Sequence, residues 1–242
     1  MKNTNRYYEK IVVSQGITEV WRYEKLNLKG GGKKEGFGEY NEENYKQRQS
    51  VRKRTIRQLI CTNFDNNSKF VTLTFRDNIG HDIKDVQQCN EYFKKFVLRM
   101  KYRYPGFKYV AVIEFQDKNE RGAVHYHMIC NLPYWKKTEL AYVWRGGFIK
   151  INAIDKVDNV GAYVVKYMTS DLDDKRLCGE NAYLHSRGLK KPVELTTWRE
   201  EDAEAWKSLH EMLEKEKPSY LHEYESLEAG HIEYYQYNSN RK

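Results

Sequence analysis

The chain has 242 residues, a length that suits one catalytic domain with additional segments and no second motor domain. Lys and Arg number 42 against 34 Asp and Glu, so the formal charge is +8 and nucleic acid is the favoured kind of partner. No apolar run approaches the ~20 residues of a membrane span, and the N-terminus lacks a signal-peptide hydrophobic region. We therefore expect a cytoplasmic protein without a membrane partner.

The composition of the two ends differs from that of the middle. Residues 1–45 are predicted to form an irregular N-terminal extension, because glycines cluster at positions 30–32, 36 and 38. That cluster lacks the spacing of a nucleotide-binding loop, so no ATPase is indicated. Residues 46–195 are predicted to be the catalytic domain. Residues 196–242 are predicted to hold a helix over Arg199–Lys215 and a polar, tyrosine-rich, mobile tail.

The four cysteines are widely spaced and form no Cys-x-x-Cys pair; they are Cys61, Cys89, Cys130 and Cys178. Each lies in a segment with the pattern of an interior strand or helix. They are predicted to be reduced, structural thiols.

A basic helix is predicted from Glu42 to Thr62, a segment without Gly or Pro. It carries Arg52, Lys53, Arg54 and Arg57 beside apolar residues at helical spacing. Such a cluster is typical of a DNA-binding surface, and the alternative is a solvated helix face.

The next elements alternate between strands and helices. The patterns predict a strand over Phe70–Phe75, a helix capped by Asp82 and ending at Tyr104, a hairpin of Tyr109–Phe115 with Ala123–Cys130, a helix over Thr138–Trp144, a strand over Phe148–Ile154 and a helix over about Lys156–Thr169. The order β-α-β-β-α-β-α is that of a ferredoxin-like α+β fold, an antiparallel sheet with helices on one face. The other face would be open to ligands.

His125 and His127 lie two residues apart in the second hairpin strand, so both imidazoles project from one face. If Gln116 pairs with Ala123, Glu114 falls opposite His125 on that face. Two imidazoles and a carboxylate suit Mn²⁺ or Mg²⁺, with Zn²⁺ and other transition ions as alternatives. The competing interpretation is two exposed histidines and a solvated carboxylate.

Tyr163 and Tyr167 stand four residues apart in the last predicted helix and share a face, with Lys166 beside Tyr163. A phenol has a pKa near 10, so a nucleophilic tyrosine needs activation that a metal and a lysine can supply. The competing interpretation is a packing stripe with a solvated lysine.

Three segments in this order resemble the motifs of the HUH endonuclease superfamily, named for His-hydrophobic-His, and especially the rolling-circle replication initiators (Rep proteins) of plasmids and phages. The first is Phe70-Val71-Thr72-Leu73-Thr74-Phe75. The second is Glu114-Phe115-Gln116 followed by Arg121-Gly122-Ala123-Val124-His125-Tyr126-His127. The third is Tyr163-Val164-Val165-Lys166-Tyr167. The similarity extends from near Arg52 to the segment Ser186–Pro192.

The resemblance implies a metal-dependent, site-specific endonuclease and strand transferase that nicks one DNA strand through a 5′-phosphotyrosine. His125 and His127 would be metal ligands, with Glu114 as the third. Tyr163 would be the nucleophile and Tyr167 its partner, because Ser170 stands where some relatives carry a lysine after the second tyrosine. In certain plasmid relatives, however, the second position attacks.

The partners implied are single-stranded origin DNA, a host helicase and a DNA polymerase, with Lys190 and Lys191 adding to the DNA contacts. Two other functions stay open. One is a transposase or relaxase of the same superfamily. The other is a non-catalytic single-strand-binding module, since ferredoxin-like sheets with aromatic side chains commonly bind nucleic acid.

Overall fold

The computed structural model describes residues 8–25, 42–117, 121–132, 134–154, 159–168, 174–177, 179–181, 183–226 and 229–240. The chain divides into two compact units, residues 42–190 and residues 1–41 with 191–242. The strands are β1 (Tyr8–Ser14), β2 (Ile17–Tyr23), β3 (Lys69–Thr74), β4 (Tyr109–Gln116), β5 (Ala123–Cys130), β6 (Ile149–Ala153), β7 (Tyr183–His185), β8 (Val193–Thr196), β9 (Tyr220–Ser226) and β10 (Gly230–Asn238). The helices are α1 (Glu42–Asn63), α2 (Val86–Arg103), α3 (Lys137–Trp144), α4 (Val160–Met168) and α5 (Ala203–Leu213). In these described parts, no helix combines the length and apolarity that a membrane crossing requires.

The unit of residues 42–190 contains an antiparallel sheet with the strand order β6-β3-β5-β4-β7. Its elements follow the predicted order, β3-α2-β4-β5-α3-β6-α4, and the α+β fold class is confirmed. The central strands are β3, β5 and β4, whose inward positions are apolar and fully buried. Strand β6 lies at one edge of this sheet.

Helices cover parts of both faces of this sheet, which differs from the expected single helical layer. On one face, α2 and α3 pack through Phe93, Phe96 and Leu140 onto Leu73 and Tyr126. On the other face, residues of α1 and α4 form a second core; its members are Ile56, Ile60, Val164, Phe70, Val110, Val112 and Ile129. Helix α1 precedes the β-α-β-β repeat, and its apolar stripe does not reveal which face it covers. The second face is therefore only partly open.

The sequence places the start of α2 too early. Asp85, not Asp82, caps the helix: its carboxylate accepts from the backbone N–H groups of Gln87 and Gln88. Asp82 instead accepts from the N–H of Lys84, at 2.9 Å, in the turn before the helix. Two aspartates three residues apart offer similar caps, and the tertiary packing of Val86 selects the second.

The terminal segments form the second unit, so the expectation of an irregular extension and a mobile tail is wrong for residues 8–23 and 220–238. They build an antiparallel sheet with the order β8-β1-β2-β10-β9. In it, β2 pairs with β10, and α5 packs Leu213, Trp206 and Leu209 against Ile11 and Val20. The error arises because strands more than 200 residues apart pair only in the folded chain, and neither hairpin looks stable alone.

Cys61, Cys89 and Cys130 are buried thiols, as predicted, while Cys178 lies outside the described residues. Burial raises the pKa of Cys89 and Cys130 to about 12, which keeps both thiols protonated and unreactive.

Candidate functional site

The hairpin of β4 and β5 has the predicted register. Glu114 lies opposite His125, and Gln116 lies opposite Ala123. Because side chains alternate along a strand, Glu114, Gln116, His125 and His127 share one face of the sheet. It is the face on which α1 and α4 pack, and these four side chains lie beyond the part that the helices cover.

The polar side chains on this face contact one another diagonally across the hairpin. Nε2 of His127 contacts Oε2 of Glu114. Nε2 of His125 lies 2.9 Å from Oε1 of Gln116. Glu114 therefore approaches the imidazole one pleat along from the residue it opposes, and Gln116 takes the place beside His125.

A threonine from the neighbouring strand completes the contacts of His127. Oγ1 of Thr72 lies 3.2 Å from Nδ1 of His127, and the two residues are paired in the register of β3 and β5. In a neutral imidazole whose Nε2 proton points to Glu114, Nδ1 accepts from the threonine hydroxyl. The ring of His127 also stacks on Phe70, with centroids 5.9 Å apart. Its orientation is thereby fixed from both sides.

The environment of His125 favours the neutral imidazole. Burial, followed by the neighbouring His127, lowers the pKa of His125 to about 4. A neutral imidazole is the form that binds a metal ion, so no proton has to be displaced by acid–base titration near pH 7.

Arg121, from the turn before β5, holds Gln116 in place. Its Nη1 donates to Oε1 of Gln116 at 2.7 Å. Its Nη2 donates to the carbonyl of Phe75 at 2.8 Å and to Asp77 at 3.0 Å. The guanidinium thus joins the end of β3 to the hairpin and orients the amide oxygen beside His125.

The donor chemistry of this face fits a divalent metal ion. Two imidazoles, a carboxylate and an amide oxygen are the mixed N/O ligands that such ions accept, and Thr72 can accept from Nδ1–H of His127 when Nε2 binds a metal. In the described arrangement these donors pair with one another. Among the residues that the structure describes, no group of three or more His, Cys, Asp or Glu side chains is arranged to hold a metal ion.

Helix α4 brings Tyr163 to the same face of the sheet. Val164 is fully buried among Val110, Val112 and Ile129, and Tyr163 packs half-buried at the edge of that cluster. Lys166 is exposed one turn further on. Tyr167 lies in the helix, but its side chain is outside the described set. The predicted tyrosine helix and histidine pair therefore belong to one side of the sheet.

The start of α4 is anchored on α1. The buried Asn159 side chain accepts from the N–H of Ala162 at 2.8 Å and from Sγ of Cys61 at 3.5 Å. At Gly161 the helices approach so closely that a Cβ would lie 2.4 Å from Sγ of Cys61 and 2.7 Å from the carbonyl oxygen of Arg57. This crossing sets the position of the tyrosines relative to the sheet.

The predicted DNA-binding residues occupy α1 and the loop after β7. Arg52 is exposed, and Lys53, Arg54 and Arg57 are half-exposed along α1. Lys190 and Lys191 are exposed. The backbone of Lys190 exchanges hydrogen bonds of 2.8 Å with the side chain of Asn63 at the end of α1. Lys190 therefore lies next to the basic helix.

Sequence reasoning assigned no role to Thr72, Gln116, Arg121, Asn159 and Gly161. Gln116 could have been found from the two-residue period of β4, which places it on the face of Glu114. Asn159 carries the signature of a helix cap. Nothing local in the sequence indicates the contacts of Arg121 or the crossing at Gly161.

Fold and site together define an α+β protein with a His-x-His strand and a tyrosine helix on one face of an antiparallel sheet. Residues 68–172, from the start of β3 to just beyond α4, match the family model of the ORF2-type replication-associated proteins. The match supports a role in DNA replication for this chain. No curated protein and no solved structure shows a significant match.

Proposed function

We propose that this protein is a rolling-circle replication initiator that nicks one DNA strand at an origin and later rejoins strands. The observation that supports this most is the shared face of His125, His127 and Glu114 with the helix of Tyr163. All these residues fall within the segment that matches replication-associated proteins. The charge of +8 fits a DNA partner.

The proposed reaction exchanges one phosphodiester for another. The phenol oxygen of Tyr163 attacks the phosphorus, the bond to the 3′-oxygen breaks, and the phenol proton is lost while the leaving 3′-oxygen gains one. The products are a 5′-phosphotyrosine and a 3′-hydroxyl. Because a phosphodiester persists, the reverse reaction can join strands. Lys166, one turn from Tyr163, is proposed to stabilise the negative charge that develops on the phenol and phosphate oxygens.

The proposed cofactor is Mn²⁺ or Mg²⁺, held by His125, His127 and Glu114. When bound, such an ion would polarise the scissile phosphate and neutralise developing charge. The residues around it have separate tasks: Thr72 orients His127, and Arg121 orients Gln116 beside His125. The dense packing of Phe70 under His127 limits the motion of that imidazole.

The test is formation of a covalent adduct. A labelled single-stranded oligonucleotide that carries the origin of the genetic element is incubated with the protein and Mn²⁺, and the products are run on a denaturing gel. We expect a labelled, protein-linked 5′ product that survives boiling in detergent. Freely migrating fragments alone would refute the tyrosine mechanism, and binding without any cleavage would favour the non-catalytic single-strand-binding module.

The remaining expectations belong to the same proposal. A nicking initiator needs a helicase and a polymerase from its host to extend the 3′-hydroxyl, and a cytoplasmic location would bring it to them. Transposases and relaxases would share the covalent step, so the origin-dependence of nicking separates them from an initiator.

A further inference from the structure

A cavity of about 430 Å³ opens at the edge of the sheet beside β6. It lies between β3, β6, the start of α3 and the segment before α3. The lining residues are Lys69, Val71, Leu132, Tyr134, Trp135, Lys137, Leu140, Lys150, Ile151 and Ala153. None of the residues discussed above as metal ligands or nucleophiles belongs to this lining.

The floor of the cavity is apolar and its rim is aromatic and basic. Val71, Leu132 and Leu140 are buried in the core below. Tyr134 is 85% exposed, and Trp135 is half-buried beside it. A tyrosine with that exposure gains nothing from the core, whereas it offers a flat ring to a planar ligand.

Three lysines surround the aromatic rings. Lys137 and Lys150 are exposed and Lys69 is half-exposed, and the described lining contains no Asp or Glu. Nζ of Lys137 lies 4.1 Å from the ring centroid of Phe148, a residue that is itself 60% exposed. Uniform positive charge around apolar and aromatic surface complements a ligand with planar bases and phosphates, and it opposes a purely apolar ligand.

The register of the sheet connects this cavity to the face of the histidines. Lys150 of β6 pairs with Thr72 of β3, and Thr72 contacts His127. Strands β6 and β5 are separated by β3 alone, which is two strand spacings or about 10 Å. A strand of DNA that is held at the histidines can therefore reach the edge of the sheet within a few nucleotides.

We propose that this cavity binds a base of single-stranded DNA, stacked on Trp135 or Tyr134, with flanking phosphates at Lys137 and Lys150. The proposal rests on the proposed function for its choice of DNA as the ligand. It adds a second anchoring point, distinct from the histidine face, that would keep the strand in register while its ends are cut and rejoined.

The direct test is photocrosslinking of the full chain to a thymidine homopolymer of about 16 nucleotides in which single thymines are replaced by 5-iodouracil. Mass spectrometry of the crosslinked peptides should place the adduct on Tyr134 or Trp135. An adduct found only on peptides outside the lining would overturn the proposal. The same probe made of RNA should bind more weakly, and preferential crosslinking of RNA here would also overturn it.

Affinity measurements on variants provide the second arm. Tyr134→Ala and Trp135→Ala should each weaken binding about five-fold or more in fluorescence anisotropy, because a base loses its stacking ring. Trp135→Phe should retain most of the affinity. Tyr102→Ala is the matched control, since Tyr102 is 87% exposed on α2 and outside the lining. The exposed Tyr134 keeps the test valid if Trp135→Ala fails to fold.

Removal of the lysines should change the salt dependence. Lys137→Ala with Lys150→Ala should lower the slope of log affinity against log salt by about 1.4, or ~0.7 for each phosphate contact with a single strand. Equal slopes for this pair and for the parent protein would refute the phosphate contacts. Crosslinking and anisotropy need neither metal nor cleavage, so failure of covalent nicking with an intact crosslink refutes only the nuclease, and the reverse result refutes only the cavity.

Discussion

Gln116 faces His125 across the hairpin, with its Oε1 2.9 Å from the imidazole Nε2. The same oxygen accepts a hydrogen bond from Arg121, which identifies it as the oxygen of the amide. His125 must then carry its proton on Nε2 in this arrangement. The histidine that sequence reasoning paired with Glu114 thus has a different neighbour, and Glu114 contacts His127.

Arg121→Ala should leave Gln116 without its orienting partner and disconnect the hairpin from Phe75 and Asp77. We expect nicking to fall about ten-fold, the usual effect of losing a group that orients a ligand. Unfolding in urea should show a loss of about 1–2 kcal/mol, because hydrogen bonds of a guanidinium are lost. Arg176→Ala is a matched control, since Arg176 pairs with Asp117 outside the histidine face. Equal nicking by both variants would contradict the positioning role.

His125→Ala and His127→Ala should each abolish nicking while single-strand binding changes by less than about three-fold, because the ligands act on the transition state more than on binding. Excess chelator should reproduce the effect in the parent protein. His222→Ala, an exposed histidine of β9, is the control and should nick normally. Full activity of the parent protein in chelator would refute the metal proposal.

Gly161→Ala should destabilise the protein although alanine is the better helix former. The gain in helix propensity is at most about 1 kcal/mol. The added methyl group would meet Sγ of Cys61 and, at 2.7 Å, the carbonyl oxygen of Arg57, which cannot rotate away. Overpacking of this kind costs about 1–3 kcal/mol, so we expect a net loss of about 1–2 kcal/mol in urea unfolding.

The same substitution should slow nicking, because α4 carries Tyr163. Gly106→Ala is the matched control: the nearest atoms to its Cβ are 3.9–4.0 Å away, and its effect on stability should be small. A stabilised Gly161→Ala protein with normal nicking would show that the crossing of α1 and α4 is looser than described.

The sequence predicted the parts of the site that depend on local periodicity. Two-residue alternation places Glu114, His125 and His127 on one face, and the register needed only one pairing assumption, which is confirmed. The side-chain partners were not predictable, because a diagonal contact such as Glu114 with His127 depends on rotamers. The contacts of Arg121 depend on the turn, which brings β3 and the hairpin together.

The larger errors concern contacts between distant parts of the chain. Glycines near residues 30–38 suggested an irregular N-terminal extension, yet β2 pairs with β10 across more than 200 residues. Likewise, the stripe of Ile56 and Ile60 predicts a buried helix face without stating which layer it enters. Patterns along the sequence report burial, whereas the choice of partner emerges only from the assembled fold.

Replacement of Arg52, Lys53, Arg54 and Arg57 by Gln should weaken DNA binding and flatten its salt dependence. Each lost phosphate contact removes about 0.7–0.9 from the log–log slope, so a surface that uses three of these cations should lose roughly two units or more. The control replaces four cations of α2 by Gln: Lys94, Lys95, Lys101 and Arg103, all exposed. If the control lowers the slope equally, the effect is one of net charge and not of a binding surface on α1.

Tyr163 and Tyr167 are predicted to have unequal roles, with Tyr163 making the first cut and Tyr167 accepting the strand in a later transfer. Both belong to α4 at a spacing of four residues, so they can approach one phosphate in turn. Tyr163 has Lys166 three residues downstream, whereas Ser170 occupies the equivalent position after Tyr167. The electrostatic support of the two phenols should therefore differ.

Tyr163→Phe should remove most of the first cut, and Tyr167→Phe should spare it while it impairs termination or strand transfer. Phenylalanine keeps the ring that packs beside Val164, so loss of activity in Tyr163→Phe would reflect the hydroxyl and not the fold. Tyr183→Phe, a half-buried tyrosine of β7, should behave like the parent protein. Mass spectrometry of the first-cut adduct decides the order: DNA on Tyr167 alone would reverse the assignment and leave the reaction class intact.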